Sequence, residues 1–183
     1  VRGSLPIVPG IGNPSMRAIS ILLAVWLAAP AAAADTRPEI TRDPAPPQAR
    51  GEPHTLRTIP EACANLVGRF TGDAERPYAI DARRTSPACQ PRARLVDAAK
   101  AGASAQAGWI LNDRIRVPSA TCPSLEAVVE VWRKPGEAAV PSKDGQGQAR
   151  IYLREGIARA RAGELAALPV YAVRMAVEGK ACP

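Results

Sequence analysis

Four cysteines, Cys63, Cys89, Cys122 and Cys182, are the residues in this 183-residue chain most able to do chemistry. Thiolates bind zinc, attack carbonyl carbons or pair as disulfides, and spacing separates these uses. Zinc sites draw on close pairs such as C-x-x-C, and none occurs here. A thiol nucleophile needs a histidine or a redox partner, and the one histidine, His54, lies in a proline-rich stretch. The cysteines therefore read as two structural disulfides, with no metal and no cofactor expected. Three pairings are possible. Cys63–Cys89 and Cys122–Cys182 are favoured, because Cys122 precedes an alternating segment at 125–134 and Cys182 follows another at 170–177. Antiparallel neighbours would bring those two cysteines within bridging reach.

General acid–base catalysis most often uses histidine, and a serine–histidine–acid triad has none to draw on after residue 54. No phosphate loop, G-x-G-x-x-G, H-E-x-x-H or calcium-loop pattern is present. Carboxylates remain. Glu126 and Glu130 share a strand face, but four residues along a strand span about 13 Å, too far for a glycosidase pair. Asp73, Asp81, Asp97 and Asp113 can meet only through the fold.

Aromatic residues are few, and Trp132 and Tyr152 stand out. Both lie opposite the apolar faces of segments that alternate. If those segments pair across the loop at 135–148, the rings share an outer face with Arg150 and Arg154. A Trp–Tyr–Arg surface has the composition of a binding patch. The competing reading is a second layer, in which a helix at 155–168 covers the rings and makes them core.

These residues need elements to position them. "LEAVVEVWRK" (125–134) and "VYAVRMAV" (170–177) alternate with the period of half-buried strands. "RIYLR" (150–154) reads as a shorter strand, "WILNDRIRV" (109–117) as a strand or a hairpin turning at Asn112-Asp113, and "YAID" (78–81) and "RARLVD" (92–97) as weaker strands. "PEACANLVGRF" predicts a short helix over 61–67, with Pro60 opening it and Gly68 closing it. "EGIARARAGELAALP" predicts a helix over 155–168, weakened at Gly163 by about 1 kcal/mol. The segments 99–108 and 135–148 read as exposed, mobile loops.

Upstream, "MRAISILLAVWLAAPAAAAD" (16–35) has the parts of an export signal: Arg17, an apolar run, the break at Pro30, and Ala32 and Ala34 before a cut that leaves Asp35 first. Its apolar run is short for a membrane span of about 20 residues, so no stable anchor is expected after processing. Residues 1–15 have no periodicity and read as an extension of the gene model. Residues 35–57, rich in proline and poor in large apolar side chains, read as a disordered linker. The folded domain is expected over 58–183.

The whole chain carries 24 basic and 17 acidic residues for a net charge of +7; without Arg2 and Arg17 it is +5. The arginines are spread along the chain, densest in "ARR" (82–84) and "RAR" (92–94), without interleaved aromatics, so no nucleic-acid partner is expected. The fold expected is α+β, mainly antiparallel sheet with one or two short helices, two disulfides and a disordered N-terminal linker. The function expected is non-catalytic binding of a protein or an anionic envelope polymer in the periplasm or outside the cell. The alternative is a carboxylate-dependent hydrolase of an envelope polymer.

Overall fold

The structure, a computed structural model, describes residues 36–136, 143–165 and 167–182. The expected export signal, the stretch 1–15 and the middle of the 135–148 loop lie outside the described residues. Among the described residues seven strands form two sheets, with two short α-helices beside them. Strands β1 (His54–Ile59), β2 (Ala64–Phe70) and β3 (Tyr78–Arg84) make an antiparallel meander. Strands β4 (Arg94–Asp97), β5 (Ile110–Pro118), β6 (Leu125–Lys134) and β7 (Val170–Gly179) form the second sheet in the order β4-β7-β6-β5. Within it β4 runs parallel to β7, and the other pairs are antiparallel. Helix α1 (Ala98–Ala101) follows β4, and α2 (Leu153–Arg161) precedes β7. The class is α+β.

The alternation in β6 sets the core. Ala127, Val129 and Val131 point to one face, where they meet Leu56, Ile59, Leu66, Phe70 and Tyr78 of the meander, with Ile115 and Val117 of β5. Burying each such large apolar side chain is worth about 1.5–3 kcal/mol. The other face of β6 carries Trp132, packed with Trp109, Leu111 and Ala172 beneath Ala98 and Ala103. The segment 99–108, expected as a mobile loop, instead carries most of α1 and a 3-10 turn at 105–107, and with Ala98 it roofs this second cluster.

The helix expected over 61–67 is absent. Pro60–Ala62 form one 3-10 turn, Cys63 takes a left-handed conformation at φ 52°, and β2 begins at Ala64. A short apolar run suits either element; here β1 and β3 satisfy its backbone on both sides. The strand expected at 150–154 is also absent, since α2 starts at Leu153. The helix stops earlier than the expected 168. Gly163, at φ 77°, closes it in a Schellman arrangement: its N–H donates to Ala160 O at 3.1 Å, and the N–H of Glu164 donates to Arg159 O at 2.9 Å. Gly163 is thus a stop signal, not a weak point within a helix.

The proline-rich stretch read as a linker is a strap on the edge of β5. Glu39 N–H donates to Leu111 O, Ile40 to Asn112 O, Ala45 to Arg116 O and Gln48 to Pro118 O, at 2.7–3.1 Å. Isolated parallel bridges join Ile40 to Asp113 and Gln48 to Ser119. Prolines between these points remove only donors that the strap does not use, which suits proline on a sheet edge. His54, placed in the linker by the sequence reading, opens β1, and its Nε2 lies 2.8 Å from the Tyr78 hydroxyl.

Cys63 is bonded to Cys89 and Cys122 to Cys182. The second bond closes the end where Leu125 of β6 stands opposite Gly179 of β7. Among the described residues no helix is long and apolar enough to cross a membrane.

Candidate functional site: an arginine groove and its cavity

Residues 89–94 form the rung on which the site is built. Cys89 is tied to Cys63, and the N–H groups of Arg92 and Ala93 both donate to Glu61 O, at 2.7 and 2.9 Å. From the rung, Pro91 O accepts the N–H of Leu153 at 2.5 Å and seats the start of α2, while Arg94 N–H reaches Pro169 O at 3.0 Å. Between the rung, the segment 149–151 and the residues Leu165, Leu168 and Pro169 lies a cavity of about 410 Å³. Its floor includes Tyr171 and Arg133, which face each other across β6 and β7.

Arg92 and Arg150 line both this cavity and the next depression, where Tyr152, Gln90 and Gln148 join them. Tyr152 and Gln90 continue into a third depression with Arg84 and Arg154. The three make one groove with five guanidinium groups, all charged at any physiological pH. Glu61 is the carboxylate in its lining. Some of the arginines are held. Arg133 Nη2 donates to Glu39 Oε1 at 2.7 Å, Arg84 Nη2 donates to Cys89 O at 2.5 Å, and Arg150 Nε donates to Gln148 Oε1 at 3.1 Å with Asp144 3.8 Å away. Arg92 and Arg154 form no ion pair among the described residues. The Tyr171 phenol is pushed up, first by burial and then by the Glu61 charge, so it stays a neutral donor.

Behind the floor, a chain of charges runs back to the strap. β5 carries a bulge at Asn112, between the pairs Leu111–Trp132 and Asp113–Val131. The bulge shifts the alternation by one, so Leu111 joins the Trp132 face while Asp113 turns to the opposite face, fully buried. Asp113 Oδ2 lies 2.6 Å from Arg42 of the strap and 3.2 Å from Arg57 of β1. These are ion pairs at contact distance; neither Asp113 oxygen has a well-directed donor. The Asn112 amide is satisfied when its nitrogen faces Glu39 Oε2 and its oxygen faces Arg57 Nη2, both at 3.0 Å. The strap thereby fixes Glu39, and Glu39 fixes the Arg133 guanidinium.

Of the residues singled out from sequence, Tyr152, Arg150 and Arg154 lie along the groove. Trp132 does not reach it. It is buried in the second cluster, with the Arg174 guanidinium 5.3 Å from its ring. The reason is topological: β6 pairs with β5 and β7, not with the 150–154 segment, and α1 covers the face that Trp132 occupies. Arg84, Arg92, Arg133 and Tyr171 were not singled out. Arg84 and Arg92 sit in the two densest arginine clusters of the sequence, which was the available signal; Arg133 and Tyr171 left none. Glu126 pairs with Arg116 at 2.8 Å and Glu130 with Arg174 at 3.7 Å, in a solvated ladder on the outer sheet face. No group of three or more histidine, cysteine or carboxylate side chains is placed to hold a metal among the described residues.

Protein-family models, curated proteins and solved structures were compared with the chain, and none matches.

Proposed function

We propose that the protein is an exported binding protein that takes an anionic ligand along the groove from Arg133 to Arg154. The observation that carries this reading is the convergence of five arginines from four segments on one groove in which, among the described residues, Glu61 is the single lining carboxylate. A guanidinium is a planar donor fork suited to carboxylate and phosphate, and Arg92 and Arg154, which form no ion pair among the described residues, present their charge to an incoming anion. Export is supported by the segment 16–34 and by the two intramolecular disulfides, which persist in oxidising compartments. The hydrolase alternative draws no support from this groove.

The test is titration of the mature chain with polygalacturonate fragments, as a model carboxylate polymer. Binding at about 20 mM salt should weaken steeply towards about 500 mM, as screening shortens the reach of exposed charges. Arg92→Glu with Arg154→Glu should cost more than tenfold in affinity while leaving the melting temperature within about 2 °C. Equal binding by that variant, or no binding at low salt, overturns the proposal. N-terminal sequencing of exported protein should find Asp35 first.

A further inference from the structure

We infer that the anion carries an acyl chain: the ligand is a single-chain amphiphile whose head sits at Arg92 and Arg150 and whose chain fills the adjoining cavity. This rests on the anion-binding reading above and narrows it. Beside the charged Glu61, Arg92, Arg133 and Arg150, the lining of the cavity includes Ala93, Ile151, Leu165, Leu168, Pro169 and the Tyr171 ring. Its volume, about 410 Å³, falls within the range of roughly 300–1,000 Å³ typical of small-molecule sites. Leu165 is buried, yet it belongs to neither hydrophobic core. A polymer of sugars and carboxylates would leave such a wall without contacts, whereas a hydrocarbon chain supplies them.

Two glycines bring the walls into contact at fixed points. A side chain at Gly156 of α2 would stand 2.5 Å from Leu168 Cδ2 and 2.9 Å from Ile151 Cγ2. One at Gly136 would stand 2.6 Å from Pro169 N and 2.7 Å from Ala167 O. α2 is thus seated on Leu168 and Ile151, and 167–169 on Gly136, so both walls are packed against the chain at these points. The charge is placed to match. Arg92 and Arg150 are the two residues shared by the apolar cavity and the polar depression beside it, so the mouth is cationic where chain and head would join. The protonated Tyr171 phenol adds a neutral donor to the lining.

The experiment titrates the full mature chain with acetate, hexanoate and decanoate, and with inorganic phosphate and dodecyl phosphate, all below their micellar concentrations. Affinity should rise roughly three- to fourfold per added methylene until the cavity is full. The carboxylate and phosphate arms distinguish a fatty-acid head from a phospholipid-type head. Leu165→Trp, and independently Ile151→Trp in case the first variant does not fold, should abolish the chain-length dependence. Arg92→Gln with Arg150→Gln should weaken every probe. If decanoate binds no better than acetate while polygalacturonate binds, the acyl-chain inference fails and the anion groove stands. If neither decanoate nor polygalacturonate binds, both fail. Chain-length dependence that survives both tryptophan variants places the chain elsewhere and overturns the inference.

Discussion

Asp113 shows how far a single position can reach. Its carboxylate is fully buried, and its stability depends on Arg57 and Arg42 arriving from two other segments. Removing one partner of a buried ion pair leaves charge without compensation and costs about 3–5 kcal/mol. Because Arg42 remains, Arg57→Ala should cost about 3 kcal/mol, seen as a fall of about 10 °C in melting temperature. Asp113→Leu combined with Arg57→Leu should recover much of that loss, because no buried charge is left; if it does not, the pair is not the source of the cost. His54 offers a second test at this scale. Its pKa is held below the ordinary 6.5, chiefly by burial and partly offset by the Glu52 carbonyl. The unfolded chain therefore takes up the proton first. The stability this contributes is complete above pH 6.5 and is lost as the pH falls through the lower folded value. Melting temperatures compared between about pH 7.5 and about pH 5.5 should fall less in His54→Gln than in the parent.

At the scale of elements, the strap is the decisive piece. Proline content and the scarcity of large apolar residues predict an unfolded tether, and a tether could be cut away without consequence. The strap instead occupies the open edge of β5, supplies Arg42 to Asp113, and holds Arg133 through Glu39. Deleting residues 36–50 should lower the melting temperature by more than about 10 °C. It should also weaken anion binding at the cavity end more than at the Arg154 end, because Arg133 loses its positioning carboxylate. A loss below about 3 °C would mean that the strap rests on the sheet without stabilising it. The β5 bulge belongs to the same argument. "WILNDRIRV" admits a strand or a hairpin turn at Asn112-Asp113, and the structure keeps the strand but inserts Asn112 as the extra residue. No local propensity announces that choice; it is made by Arg42 and Arg57, which give the inward-turned Asp113 its partners.

Across the whole molecule, the two disulfides do different jobs. Cys122–Cys182 closes a separation of 60 residues and Cys63–Cys89 one of 26. Chain entropy gives about 4.3 and about 3.5 kcal/mol for such loops. Replacing Cys122 and Cys182 by serine should therefore destabilise the protein more, by about 1 kcal/mol. Replacing Cys63 and Cys89 should do more damage to anion binding, because it frees the rung that carries Arg92. Denaturant melts set beside binding isotherms check both, and a variant order that is the same in the two measurements would refute the division. The sequence by itself determined what depends on local pattern. Period-two alternation placed β6 and β7, and an even cysteine count without close pairs pointed to disulfides. The cysteine positions beside those strands suggested the pairing. Only the tertiary structure decided what depends on distant partners. Whether "ANLVGRF" was helix or strand waited on β1 and β3. Whether Trp132 was surface or core waited on the α1 segment. Whether the proline-rich stretch was tether or strap waited on backbone groups of β5 far along the chain. Arg84, Arg92 and Arg133 became one groove only because a disulfide, a sheet register and a short helix brought them side by side, and such meetings between distant residues leave no period in the sequence.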